Sequence, residues 1–326
     1  MQTLLVPAEW AGSPLDEFLA AHWPRAPKGK LRDLVRAGVV TVDGMRAQPS
    51  DRLREGQVVL LDRDPTELER TDVHAVPLEV LYEDEHLVAV DKPAGLPVEP
   101  SRWGEHPVHL SGALLRWAEE RQGEGPMRRR PRGLHRLDLG TSGVLLYALS
   151  LEAERFYRDL FATGGVAKTY HALVLGRMDG PCVVDEPIAA DTRGGGRMRV
   201  HRSGKPARTA FTPVEEFRGH TWVEARPETG RTHQIRVHLA HLGHPLAVDP
   251  RYGGGPALYL SHFKRGYRPK PGKEEKPLVS RLTLHASEVV LPRYPDGGEL
   301  RISAPLPKDL RVALAKLRKW APVRPA

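Results

Sequence analysis

The chain has 326 residues, with 49 lysines and arginines against 41 aspartates and glutamates, a formal charge of +8. That length admits about two domains with a buried core; the basic balance favours a phosphate-rich partner, with a solvated basic surface as the alternative. The single cysteine, Cys182, excludes a disulfide framework and a cysteine zinc site, and no apolar run reaches the length of a membrane span. The opening residues lack the basic flank and apolar stretch of a signal peptide, so a soluble, cytoplasmic protein is expected.

Residues 1–63 read as a small separate unit. Leu15, Phe18, Leu19 and His22 fall at helical spacing, and "KLRDLVRAG" predicts a second short helix stopped by Gly38. "VVTVDG" and "QVVLLD" predict two strands with "DG" and "EG" as turn signals. Lys28, Lys30, Arg32 and Arg36 gather around the second helix, as a solvated helix face or as a grip on an RNA backbone. Residues 64–76 are polar and charged and read as a linker. The remainder, 77–326, opens with two strands and a Pro/Gly-rich loop in "LEVLYEDEHLVAVDKPAGLPVEP". A helix over "VHLSGALLRWAEERQ" and a basic loop, "GEGPMRRRPRG", lead to the segment "HRLDLGTSGVLL", a turn running into an apolar strand. Beyond it come a helix at "LEAERFYRDLFATG", a strand at "AKTYHALVLG" and a basic hairpin tip at "RGGGRMR". Further strands run through "TWVEARP", then a helix at "THQIRVHLAHLG", a strand at "RLTLHASEVVL" and a closing helix at "KDLRVALAKLRKW". Strands outnumber helices without βαβ alternation, which predicts an α+β fold with a mostly antiparallel mixed sheet.

Several chemistries fail on spacing. Ser142 lacks the second glycine of a nucleophile elbow, since Val144 stands there, and "GGVAKT" lacks the P-loop spacing. His238, His241 and His244 fall three apart near His233, and three imidazoles suffice for zinc. A zinc hydrolase, however, places a glutamate beside the first histidine, and "HLAH" has none. That leaves packing and capping as their plain reading, and a metallohydrolase as the rival.

Asp138 stands alone between the basic pair His135–Arg136 and a Gly-Thr-Ser-Gly turn; a lone turn aspartate is ordinarily structural. Arg231, just after a glycine turn, sits at the start of a predicted helix, where its charge opposes the helix dipole. This misfit suggests an acidic neighbour, and beside Asp138 it would hold that carboxylate ionised. Tyr170 shares a strand face with Lys168, Ala172 and Val174, as a core aromatic or as a ring stacking on a nucleobase at a cleft edge.

"HRLDLGTSGVLL", "KTYHALVLG" and "RPETGRTHQIRVHLAHLGHPLAVDPRYGG" resemble, in order and spacing, the signature segments of the RluA family of pseudouridine synthases. "LDEFL", the basic second helix and "GVVTVDG" resemble the small RNA-binding module of ribosomal protein S-four, and together the resemblances cover nearly the whole chain. They imply that Asp138 is the catalytic residue, Arg231 its salt-bridge partner and Tyr170 the ring against the target uracil. Where members of that family often carry a histidine, "LPVEP" has Glu99. The stretch 261–276 is a basic insertion relative to many members and reads as an RNA-touching loop through Tyr267 and neighbouring cations.

Pseudouridine formation breaks the base–ribose nitrogen bond, turns the uracil and rejoins it through carbon, with no metal, nucleotide or redox cofactor required. One ionised aspartate can attack the sugar, add to the uracil ring or take a ribose proton. A paired second acid would bring in water and hydrolyse the nucleoside, so a solitary carboxylate suits isomerisation. The uridine must leave its stack, and His135 and Arg136 are placed to hold the opened strand. The expectation is therefore a monomeric RNA pseudouridine synthase, with large-subunit ribosomal RNA ahead of transfer RNA as substrate. A non-catalytic RNA-binding assembly factor is the second rival.

Overall fold

A computed structural model of the protein describes residues 1–63, 65–68, 76–99, 108–122, 130–192, 194–269 and 272–323. The chain opens with strand β1 (Gln2–Leu5), followed by helices α1 (Leu15–His22) and α2 (Lys28–Arg36). Strands β2 (Val40–Val42), β3 (Met45–Arg46) and β4 (Val58–Leu61) complete a four-stranded sheet in the order β1-β4-β2-β3. Both helices form because their apolar residues share one face: Leu15, Phe18, Leu19, Leu31 and Val35 are fully buried in a core that these first residues make among themselves. Gly38, at φ +79°, lets the chain leave α2 through the left-handed region, as its position predicted. Of the linker, Pro65–Leu68 forms a short 3-10 turn; residues 64 and 69–75 lie outside the described set.

The large sheet is built from β5 (Val80–Glu83), β6 (Leu87–Lys92), β7 (Arg132–Gly133), β8 (Ser142–Ala148), β9 (Ala167–Leu175) and β10 (Cys182–Asp185). A separate hairpin, β11 (Ile188–Ala190) with β12 (Met198–Val200), carries the glycine-rich run at its tip. Strands β13 (Arg208–Phe217), β14 (His220–Pro227), β15 (Leu284–Pro292) and β16 (Glu299–Ser303) complete the sheet. Its order is β10-β13-β14-β9-β15-β8-β6-β5, with β16 beside β15 and β7 beside β8. Every pairing is antiparallel except β15 with β8, which run parallel at the centre. The helices α3 (Leu110–Gln122), α4 (Leu151–Thr163), α5 (Gln234–His241) and α6 (Lys308–Trp320) occupy the predicted segments. No described helix is long and apolar enough to cross a membrane.

The parallel pair depends on one glycine. Gly143 lies at φ +114°, and a Cβ there would sit 2.1 Å from the Ala286 carbonyl oxygen of β15. Only a residue without a side chain lets β8 approach so closely. That contact fixes the mouth of β8, from which the turn carrying Asp138 projects.

Polar contacts join the first unit to the rest. Arg25 pairs with Glu119 of α3, the Arg132 guanidinium lies 5.2 Å over the Trp10 ring, and Arg155 donates to the Ala11 carbonyl (3.3 Å) and the Ser13 hydroxyl (3.2 Å).

Candidate active site

Asp138, Tyr170, Arg231 and Arg236 line one cleft of about 390 Å³, between the turn before β8, the face of β9 and the residues leading into α5. Asp138 is held from both sides of its turn. Thr141 donates its main-chain N–H to the Asp138 carbonyl at 3.0 Å. The fully buried Lys92 ammonium donates to the carbonyls of Pro93 (3.0 Å), Leu96 (3.0 Å) and Leu139 (3.2 Å), tying the Pro/Gly-rich loop to the residue after Asp138. Burial pulls the Lys92 pKa down to about 8, with Asp138 nearby opposing that fall.

The partner of the Asp138 carboxylate is Arg236, not Arg231. Arg236 Nη1 donates to Asp138 Oδ2 at 2.8 Å, while its Nε and Nη2 fork onto Asp249 at 2.7 and 2.9 Å. The Arg236 side chain is 7% exposed and that of Asp249 1%, so one guanidinium bridges two carboxylates nearly out of water. Burial alone would lower the Arg236 pKa; its bonds to Asp249 and Asp138 outweigh that and raise it. The Tyr252 ring stacks against this guanidinium, 4.9 Å from Cζ. Arg231 turns elsewhere: its Nε donates to the Pro206 carbonyl at 2.9 Å, and its main-chain N–H to Gln234 Oε1 at 2.9 Å. Arg231 precedes the helix proper, so the dipole argument that aimed it at an acid does not apply; the helix begins at Gln234. Arg236 lies in the first turns of α5 on a run, Gln234–Leu239, that is buried throughout. An arginine inside "QIRVHL" is the signal that was missed, because a buried guanidinium needs a carboxylate.

The other Asp138 oxygen, Oδ1, lies 3.8 Å from His233 Nε2. His233 caps α5 in the left-handed region at φ 58°, and its Nδ1 meets the Tyr252 hydroxyl at 2.8 Å. Burial lowers the His233 pKa against the pull of Asp138, so the ring is neutral near neutral pH. Tyr170 reaches the cleft from the centre of β9, opposite Ala225 of β14 and Ala286 of β15. Burial, and then the Asp138 charge, push its pKa up, so it remains a phenol.

The remaining expectations divide. Arg136 is exposed on the cleft lining. His135 also lines it, but its Nε2 accepts the Leu146 N–H at 3.2 Å and burial drops its pKa to about 3, so it is a neutral ring and not half of a basic pair. Tyr267 is not on the lining; its ring lies 5.8 Å from Lys264 Nζ, which also sits 4.4 Å over Trp320 at the end of α6. In α2, Lys28 and Arg32 pair with Asp16 of α1, at 3.4 and 2.7 Å, whereas Lys30 is exposed and Arg36 meets the exposed Asp33. The histidine cluster does not converge. His238 spends both ring nitrogens on Thr209 (2.9 Å) and the Glu186 carbonyl (3.0 Å), and His244 bonds the Leu175 carbonyl. Among the described residues no group of histidine, cysteine and carboxylate side chains is placed to hold a metal.

The cleft thus sets Asp138, held by Arg236, among the cations Arg136, Lys168 and Arg231. Comparison with known proteins specifies its class. Residues 86–241 match the family model described as RNA pseudouridylate synthase. The ribosomal large subunit pseudouridine synthase D of Xanthomonas campestris pv. campestris is 35% identical, over 98% of this chain and 93% of its own length. The protein of the same name from Escherichia coli K12 is 32% identical, over 94% and 91%. Among solved structures, human RNA pseudouridylate synthase domain containing 4 superimposes with a TM-score of 0.56 at 26% identity, over 74% of this chain and 93% of its own. The chain belongs to the RNA pseudouridylate synthase family, in its RluA-type branch, and is an isomerase acting on RNA.

Proposed function

We propose that this protein converts specific uridines of large-subunit ribosomal RNA to pseudouridine, with Asp138 as the catalytic residue, Arg236 as the group that orients it, and Tyr170 as the ring beside the uracil. The observation that carries this reading is the solitary carboxylate: Asp138 is held by Arg236 at 2.8 Å, and Glu228, the other acid on the lining, is taken by Arg208 at 2.9 Å. Among the described residues no second free acid lines the cleft to activate water, which fits isomerisation over hydrolysis. In the reaction the N1–C1′ bond breaks, the uracil turns and a C5–C1′ bond forms, with C5 losing a proton and N1 gaining one. Asp138 Oδ2 is committed to Arg236, so Oδ1 is the oxygen available to the nucleoside.

The names of the relatives support ribosomal RNA as the substrate. Residues 1–63 are read as an S-four-type RNA-binding module, 64–76 as the linker and 77–326 as the catalytic domain. The separate core of the first unit and the outward Lys30 and Arg36 support that division. A ribosomal substrate supports the cytoplasm as its location. Mapping pseudouridines in ribosomal and transfer RNA from cells with and without this gene tests the reading. Loss of one or a few sites from large-subunit RNA is expected; loss from transfer RNA alone, or from neither, overturns it.

A further inference from the structure

The charges on the cleft wall do not cancel. Asp138 and Glu228 are paired with Arg236 and Arg208, and Arg236 is shared with Asp249, which leaves that trio one negative charge. Among the described lining residues this leaves Arg136, Lys168 and Arg231, none of which has an ion-pair partner in the described chain. Arginines elsewhere on the surface are commonly paired, as Arg158 is with Glu154 and Arg318 with Glu215.

Lys168 is the most telling of the three. It is half-buried on β9, two residues before Tyr170 and on the same strand face. Its Nζ carries three donors, yet among the described residues it meets one acceptor, the Thr229 carbonyl, at a long 3.4 Å. Burial lowers its pKa with no carboxylate opposing the fall. A half-buried ammonium with no counter-ion is costly unless a ligand supplies one. The neighbouring turn is built to hold a fixed shape. Gln234, 4% exposed, accepts from the Thr229 hydroxyl (2.7 Å) and the Arg231 N–H (2.9 Å) and donates to the Arg208 carbonyl (3.0 Å) and Thr209 Oγ1 (3.0 Å). Arg231, two residues beyond the carbonyl that Lys168 touches, uses Nε on the Pro206 carbonyl, and among the described residues its two Nη groups meet no acceptor, a pair of donors that a phosphate can take together.

We propose that Lys168 and Arg231 form a phosphodiester subsite that receives the backbone phosphate of the uridine whose ribose lies at Asp138. This rests on the uridine-isomerase reading above. A ribose at Asp138 brings its own phosphodiesters past a carboxylate, and two fixed cations offset that repulsion.

An unmodified large-subunit ribosomal RNA transcript is the probe. Wild-type enzyme first maps its uridine on it; failure at that step strikes the functional reading, while the binding measurements on the same transcript still test the subsite. Lys168→Met, which keeps the length without the charge, should lower the slope of log affinity against log salt by about 0.7 for the lost contact. Its KM should rise about tenfold, the worth of a charge-assisted bond, with Lys168→Arg restoring most of both. A hairpin carrying the mapped uridine, with a neutral methylphosphonate on either side, supplies the second readout. The neutral linkage should weaken wild-type binding, weaken Lys168→Met less because Arg231 remains, and leave the Lys168→Met/Arg231→Gln double variant unaffected. A Lys168→Met enzyme that keeps the wild-type slope and the full wild-type sensitivity to the methylphosphonate overturns the proposal, whatever its melting temperature. Should that variant fail to fold, Arg231→Gln is measured in the same two ways, and a wild-type slope with full wild-type methylphosphonate sensitivity again overturns the proposal.

Discussion

Asp138 presents its two oxygens to different surroundings, one bonded to Arg236 at 2.8 Å and one facing His233 across 3.8 Å. Asparagine keeps the shape and the local turn bonds but loses the charge. Asp138→Asn should therefore fold and bind RNA as the wild type does while forming no detectable pseudouridine, judged by isomer yield beside a melt and a binding curve on one preparation. An Asn variant that turns over would return Asp138 to a structural role. The two arginines of the "GRTHQIR" segment separate just as sharply. Arg236→Gln strands two carboxylates, that of Asp249 at 1% exposure, and breaking such a buried network costs about 3–5 kcal/mol. Its urea midpoint should fall accordingly and its activity with it. Arg231→Gln removes a side chain that, among the described residues, bonds one carbonyl, and should leave the midpoint near wild type, an unfolding free energy changed by at most about 0.5 kcal/mol. If the midpoints reverse that order, the ion-pair assignment is wrong.

Among the elements, the central parallel pair of β8 and β15 does most to place the site, because the Asp138 turn feeds directly into β8. Gly143→Ala would set a Cβ 2.1 Å from the Ala286 carbonyl at a φ of +114°, so β8 must withdraw or the backbone must twist. Strain and lost packing together should cost on the order of 3 kcal/mol or more. Activity should fall further than global unfolding explains, because the displaced strand carries the turn with it. Equilibrium urea unfolding and kcat measured well below the midpoint separate the two effects. A Gly143→Ala protein with wild-type stability and kcat would show that the close approach is dispensable. Helix α5 makes a second contribution through its buried run, which aims Arg236 at Asp138 and seats His238 against Thr209 and Glu186. The histidine spacing that permitted a metal site in sequence is spent on holding that helix in place.

At the scale of the whole molecule, the first unit packs on α3 and on the residues around α4 while turning Lys30 and Arg36 outward. Replacing both by glutamine should flatten the salt dependence of RNA binding by about 0.7–0.9 per phosphate contact. Single-turnover chemistry at saturating enzyme should persist, since neither residue lines the cleft. An unchanged slope would remove RNA binding from this face of α2. Much of this organisation was legible in the residues themselves. Helical spacing marked α1 and α5, a glycine marked the end of α2, and a lone aspartate before an apolar strand marked the cleft. These are local facts, set by side-chain periodicity and backbone sterics over a few residues. The partner of Asp138 was not local: Arg236 lies 98 residues away, and Arg231, in the same segment, satisfied every short-range argument. Spacing tells which side of its own element a residue occupies, and says nothing of which element packs against that side. The choice between the two arginines was made by burial, because only the one enclosed by α5 and the sheet had to find a carboxylate.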